Sequence, residues 1–400
     1  MDFGLFDADQ HYYESEDCLT RYASKRMQAM KSVRWLTEGD GKRRRLVIAD
    51  RLTTVIGNPT FDPVAKPGAF HETLKQLQAG EDRTNTASAY GELVPIDPCY
   101  RDRDVRLKRM DEQGVERALL FPTLGVTLEG YADHDPELLY DLMHAFNRWL
   151  EDDWGFAYQD RIYAVPYIPM MEVERSVAEL EWLLRQGARA ITLRPGPAYG
   201  RSPADPYFDP FWARVNEAGI LVTYHAYEGP SLQSRAFRDL WAAPSQARRM
   251  EDIILERAIA SSDVQAMETF VALVLHNLFG RFPNIRVAAV ELGSGWVPFA
   301  LSRLDHAGGL LSRQIKAFGT TLDDLPSEIF KRHIWVSPWP EENVPGLAGL
   351  IGVDRVIMGS DWPHAEGNVR PGDYADGLTG LDAAGQRRIM RENALELVTQ

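Results

Sequence analysis

From about residue 101 onward, short and nearly continuous apolar runs alternate with longer stretches whose apolar positions recur at helical spacing. A helix expected over Asp104 to Gln113 stops at Gly114 and leads into a strand at Arg117 to Phe121. A second over Pro136 to Trp154 leads into Ile162 to Pro166, and a third over Val173 to Arg185, ending near Gly187, leads into Ala190 to Leu193. A helix near Phe211 to Ala218 precedes the run Ile220 to His225, and residues 226 to 280 read as a long, mainly helical excursion before Ile285 to Glu291. Strands at Ile334 to Val336 and Arg355 to Met358 follow, then a terminal helix over about 384 to 398. Glycine at helix ends supplies the left-handed residue that such ends commonly need.

With the opening run Phe3 to His11, this makes eight strands. Strands that are apolar on both sides and alternate with helices imply a parallel sheet covered on both faces, and eight of them favour closure into an α/β (β/α)8 TIM barrel. An open doubly wound sheet is the alternative, but no glycine-rich phosphate fingerprint follows the first strand. Residues 14 to 100 break the rhythm and read as an N-terminal insertion in a single domain spanning 1–400. Within it, Val33 to Glu38 and Arg45 to Ile48 alternate around Gly39-Asp40-Gly41, the signal of a β-hairpin, and the Asn58-Pro59 and Pro63 to Gly68 stretch is loop chemistry.

Composition narrows the class. The 400 residues are 44% hydrophobic and 26% charged, enough for a sizeable core. A net charge of −14 argues against nucleic acid or an anionic membrane as partner and leaves a small-molecule substrate. Two cysteines, Cys18 and Cys99, are too few for a disulfide framework, which makes the cytoplasm the expected compartment. No basic and apolar leader opens the chain, and no run approaches the roughly 18 apolar residues of a membrane span.

The chemistry sits at strand ends. Asp9 and His11 are two apart on the first strand and so can face one ion together, His225 ends the fifth strand, Glu291 the sixth, and Asp361 follows the eighth. In a barrel these ends share one mouth. Histidine and carboxylate ligands without cysteine suit a catalytic zinc, manganese or iron rather than a structural zinc. Aromatic residues crowd the same ends: Tyr12 and Tyr13, Tyr224 and Tyr227, Trp296, Trp339 and Trp362. Tyr12, Tyr224, Trp296 and Trp362 are candidate substrate contacts, as is Arg194, which ends the fourth strand and could hold a carboxylate or pair with a structural acid. His364 is either a partner of the ligands or a substrate contact, Glu14 a loop-anchoring carboxylate, and His276 a structural residue.

These motifs resemble the amidohydrolase superfamily, in the amidohydrolase-related branch that includes aminocarboxymuconate-semialdehyde decarboxylase and resorcylate decarboxylase. The resemblance covers nearly the whole chain and rests on Asp7-Ala-Asp-Gln-His-Tyr-Tyr-Glu14 in place of the branch's His-x-His or Glu-x-His, on His225, on Phe282-Pro-Asn-Ile-Arg-Val287, and on Gly359-Ser-Asp-Trp-Pro-His364. It implies a metal-dependent TIM barrel, one divalent ion held by Asp9, His11, His225 and Asp361, and a homodimer. One position departs: where the decarboxylases carry His-x-Gly after strand six, this chain reads Glu291-Leu-Gly293.

The leading expectation is a hydrolase acting on a small organic acid or aromatic-derived substrate through water activated by one divalent ion, zinc first and manganese or iron as alternatives. Glu291, Asp361 and His364 are its candidate catalytic residues, with Glu291 either base or ligand. The alternative is a metal-dependent, non-oxidative decarboxylase of an aromatic or muconate-type acid. A third reading is a barrel whose ion only stabilises it.

Overall fold

The structure, a computed structural model, describes residues 2–37, 39, 44–53, 56, 58–70, 93–226, 262–310, 322 and 324–399. Tyr227, the hairpin tip at Asp40-Gly41 and most of the 226 to 280 excursion fall outside the described residues. Strand β1 (Leu5–Tyr12) opens the chain; β2 (Val33–Thr37), β3 (Arg44–Ile48) and β4 (Arg51–Leu52) form a small antiparallel sheet, and β5 (Val64–Ala65) pairs with β6 (Leu93–Val94). The β2–β3 register runs from Val33↔Ile48 to Thr37↔Arg44, the pairing expected of the hairpin. Then come β7 (Val115–Pro122), β8 (Ile162–Ala164), β9 (Ala190–Leu193), β10 (Leu221–His225), β11 (Val287–Val290) and β12 (Ile334–Val336), each preceded by a helix.

The parallel strands form two ladders, β1-β7-β8 and β9-β10-β11-β12. Parallel bridges join them: Tyr167↔Thr192 links the end of β8 to β9, and Val336↔Val356 carries β12 onto the segment that ends at Asp361. That segment returns to β1 through Ala8 N to Met358 O (2.9 Å), Asp361 N to Asp9 O (2.8 Å) and His11 N to Trp362 O (2.8 Å). The ring of eight segments therefore closes on itself. The eighth, expected as a strand at Arg355 to Met358, is a short helical turn ending at Arg355, a single bridge at Val356 and a loop that turns left-handed at Asp361.

Two cores follow from the alternation of strand side chains. One gathers Phe6, Ala8, Leu119, Phe121, Tyr163, Val165, Ala190, Leu221, Ala288, Val290 and Ile357 with Ala394, Leu397 and Val398 of the last helix, Asn393–Thr399. Drawn from successive strands at alternating positions, these fill the lumen, and the last helix covers its floor. The other core, with Leu120, Ile162, Val222 and Ala289, packs the outer strand faces on the helices.

β1 breaks its own alternation. Asp7 pairs with Ala118 but Gln10 with Leu120, so three steps along β1 match two along β7, which is a bulge. Ala8 and Asp9 both oppose Leu119, a lumen residue, and from there on the odd-numbered residues face inward. Phe6 and Ala8 thus fill the lumen below, while Asp9 and His11 face it above.

Candidate metal centre

Five side chains converge at the mouth. β1 supplies Asp9 and His11 above its bulge, β10 ends on His225, and Glu291 stands one residue past β11. Asp361 follows the eighth segment. Glu291 and Asp361 both adopt φ of 54°, a left-handed conformation that costs energy for a residue with a side chain and recurs where a carboxylate must be aimed. His11 Nε2 lies 3.4 Å from Asp9 Oδ1, 3.5 Å from Glu291 Oε2 and 3.3 Å from Asp361 Oδ1. His225 Nε2 lies 3.4 Å from Asp9 Oδ1 and 3.0 Å from Glu291 Oε2.

These atoms face one another without hydrogen bonds. Asp9 Oδ1, both ring nitrogens of His11, His225 Nε2 and both Asp361 oxygens are buried and make none. Buried polar atoms are rarely left this way, because each costs about 1–3 kcal/mol. His225 Nδ1 lies 3.0 Å from the Ala226 carbonyl and donates to it, which leaves Nε2 as the ring atom turned to two carboxylates and open to a proton or an ion. A divalent cation resolves the arrangement. The donor atoms of Asp9, His11, His225 and Glu291 all lie within 4.8 Å of one another, as do those of His11, Asp361 and His364. The donor set fits one ion, with Glu291 grouped with Asp9, His11 and His225, and Asp361 beside His11.

Without an ion the cluster holds protons instead. Burial opposes charge on His225, but Glu291 and Asp9 overcome it and lift its pKa well above the ordinary imidazole value. His11 is raised too: burial and the neighbouring His364 lower it, and Asp9, Glu291 and Asp361 outweigh them. Burial would raise Glu291, yet the charges and hydrogen-bonding reach of His225 and His11 hold it well below the carboxylate range. Asp361 goes the other way, pushed far up by burial and then by the charge of Glu291.

Around the cluster lie residues that fix it. His364 Nδ1 is 2.8 Å from Asp361 Oδ1, and its ring stacks on His11 at 3.8 Å between centroids. Its Nε2 is 2.9 Å from Thr123 Oγ1, and that hydroxyl donates to Tyr12 O at 2.8 Å, so the Nε2 proton points at Thr123. Phe121 stacks on His225 at 4.4 Å. Asp7, turned outward by the bulge, accepts from Ser360 N, Ser360 Oγ and Gln10 Nε2, and burial raises its pKa to about 6. Arg106, fully buried, donates to Gln10 Oε1, His11 O and Cys99 O. Glu14 anchors a loop, as expected, by accepting from Leu124 N and Gly125 N at 2.9 Å. His276 follows the helix Ser262–Leu275, and its carbonyl accepts from Arg281.

Sequence reasoning passed over Phe121, Thr123, Arg106 and Glu366, whose carboxylate groups with Glu291, Asp361 and His364 within 4.8 Å. Phe121 shares the inward phase of β7 with Leu119, and that phase was the available signal.

Several expected contacts are not brought to the donor cluster. Tyr12 alternates with His11 and packs outward on Trp149 and Trp154, with centroids at 5.8 and 5.4 Å. Tyr224 alternates with His225 and meets Phe270 edge-on at 5.6 Å; Trp296 stacks on the other side of this layer, 5.2 Å from Phe270. Trp362 contributes its carbonyl to β1, while its ring lies under the Arg106 guanidinium and against Tyr100. Arg194 is 3.5 Å from the buried Glu129, and Tyr167 donates to that same carboxylate, so the structural-acid alternative describes it. For Tyr12 and Tyr224 strand alternation outweighs nearness in sequence, and for Arg194 a buried counter-charge does.

Known proteins resemble this chain in sequence and fold. The amidohydrolase family model matches residues 97–399. A crystal structure of an amidohydrolase from Mycobacterium avium subsp. paratuberculosis K-10 superposes with a TM-score of 0.88 at 33% identity, with all of both chains covered. The 2-amino-3-carboxymuconate-6-semialdehyde decarboxylase of Dictyostelium discoideum is 22% identical over 309 residues, 76% of this chain and 78% of that one. The fold is shared with 5-carboxyvanillate decarboxylase of Novosphingobium aromaticivorans, solved with manganese and 3-methoxy-4-hydroxy-5-nitrobenzoic acid, at a TM-score of 0.63 and 17% identity over 100% of this chain and 98% of that one.

Proposed function

The chain belongs to the amidohydrolase family, and from that premise we propose that it is a divalent-metal-dependent, non-oxidative decarboxylase of a carboxylated aromatic or muconate-type acid. The observation that carries this reading is the division of labour among the three acids. Glu291 sits between two imidazoles, 3.0 Å from one and 3.5 Å from the other, and groups with them and Asp9 as one donor set. That places it as a ligand, with its oxygens turned to the ion rather than to a water. The hydrolase expected from the sequence needs Glu291 as base toward water, and is the less favoured reading for that reason.

Asp361 and His364 form the opposite kind of pair. Burial and the Glu291 charge favour the protonated form of Asp361, and His364 Nδ1 lies 2.8 Å away with its other nitrogen committed to Thr123. A proton held between them meets the need of decarboxylation. The bond between the substrate carbon and its carboxylate breaks, carbon dioxide leaves, and the electron pair left on carbon takes that proton. The ion, when bound, supplies positive charge to hold the substrate's acidic oxygens. Asp9, His11, His225 and Glu291 would hold it, and two carboxylates with two imidazoles accommodate manganese as well as the zinc expected first.

Residues 14–100 are read as an insertion on a single barrel domain, since β2 to β6 pair only among themselves. The enzyme loaded with manganese and offered carboxylated phenols and amino-carboxymuconate-type acids in deuterium oxide should release carbon dioxide and leave one deuterium at the vacated carbon. Hydrolysis products without carbon dioxide would overturn the reading.

A further inference from the structure

The loop after β11 carries Glu291 and is held from outside the donor cluster. It runs Glu291-Leu-Gly-Ser-Gly-Trp296, with left-handed backbone at Glu291 (φ 54°) and again at Gly293 (φ 62°). Gly293, two residues on, adopts this conformation freely, but at Glu291 it does not persist unless neighbouring structure over-determines it. The nearest constraint is Glu342, six residues past the end of β12. Its carboxylate accepts from Ser294 N, Ser294 Oγ and Gly295 N, each at 2.9 Å, and from Trp339 N at 2.8 Å. The last bond ties the carboxylate to its own loop, so the exits of β11 and β12 are stapled through one side chain. Trp339 closes the same contact: a Cβ on Gly293 would stand 2.7 Å from its Nε1, so only glycine lets the two loops approach this closely. Among the described residues, Glu342 belongs to none of the groups that could hold the ion.

We propose that Glu342 is a positioning residue for the metal centre, which holds Glu291 in its left-handed, ion-facing conformation by anchoring the backbone N–H groups of Ser294 and Gly295. The inference rests on the reading of Glu291 as a ligand. A carboxylate suits the task because it accepts along both oxygens at once. An amide in its place turns an N–H toward donors that already point inward.

The test is a double-mutant cycle on manganese affinity, measured by titration of metal-free protein. Glu342→Gln should weaken binding by about 10-fold or more, within the range that supporting residues around metal sites show, and Ser294→Ala should weaken it less. In a Glu291→Ala background, Glu342→Gln should have no further effect, because the ligand it positions is gone. Thermal melts and circular dichroism of each metal-free variant establish that the fold is intact. Unchanged affinity in a folded Glu342→Gln protein would overturn the inference and assign Glu342 to stability alone, and an equal loss with and without Glu291 would overturn it by showing that Glu342 acts on the site by a route other than Glu291. If Glu291→Ala itself binds manganese like the wild type, the ligand reading fails and this inference with it, while the carbon dioxide assay still judges decarboxylation on its own.

Discussion

His225 Nε2 stands 3.0 Å from Glu291 Oε2 while the other nitrogen of the ring is turned to the Ala226 carbonyl, so the pair meets across a gap that either a proton or an ion can fill. A ligand and a base respond differently to one change. Glu291→Gln should lose manganese affinity and activity together, with activity recovering when the metal concentration is raised. His225→Ala should lose the metal outright. Full metal content in Glu291→Gln with turnover down by roughly two to four orders of magnitude would instead mark Glu291 as the base.

His364 should matter to turnover more than to metal content. Its Nδ1 contacts Asp361 and its Nε2 is fixed by Thr123. His364→Asn is expected to retain manganese and lower kcat by about 10²- to 10⁴-fold, the usual worth of a placed proton donor. Thr123→Val, which removes only the orienting hydroxyl, should cost less. Equal kcat in all three proteins would remove His364 from the chemistry.

Metal affinity should tighten as pH rises. In the metal-free protein His225 is raised well above the ordinary imidazole pKa and His11 is raised as well, so at neutral pH binding must displace protons. Each proton released makes the apparent dissociation constant fall about 10-fold per pH unit until the raised pKa is passed. Isothermal titration in two buffers of different ionisation enthalpy counts those protons. A pH-independent affinity between pH 6 and 8 would contradict the charge pattern of the cluster.

Asp7 predicts a stability slope of its own. Burial raises its pKa from 3.8 to about 6, so the folded state holds the proton more tightly than the unfolded chain. Its contribution is fully present below pH 3.8 and is lost as pH rises through about 6, a difference of about 3 kcal/mol. Asp7→Asn cannot ionise and should lack this slope. Denaturant melts of metal-free wild type and variant at pH 4 and pH 7 test it: the gap between the two should shift in favour of the variant by up to that amount at the higher pH.

Much of this was legible because barrel strands are short apolar runs and their mouth-side ends carry the polar residues. Asp9, His11, His225, Glu291 and Asp361 could all be named from that rule, since each breaks or ends an apolar run. What could not be read was which way side chains turn. Asp7, Asp9 and His11 share a phase in an ideal strand, yet Asp7 faces Ser360 and Gln10 because a bulge intervenes. Tyr12 and Tyr224 sit beside ligands in sequence and on opposite strand faces in space. The partner of Arg194, Glu129, is 65 residues away and follows no local pattern.

The bulge in β1 gives that strand two frames on one backbone. Below Ala8 the even residues look into the lumen, and above Asp9 the odd ones do. Deleting Ala8 would leave Asp9 alone opposite Leu119 and keep Phe6, Asp9 and His11 facing inward, whereas deleting Gln10 would either turn His11 outward or relax the bulge and turn Asp9 outward. Point substitutions cannot exchange the two frames. The first strand is therefore a length-encoded element, in which the identity of the ligands depends on residue count as much as on residue type. A scan of single-residue deletions along β1 should find the loss of Gln10 far less tolerated than the loss of Ala8.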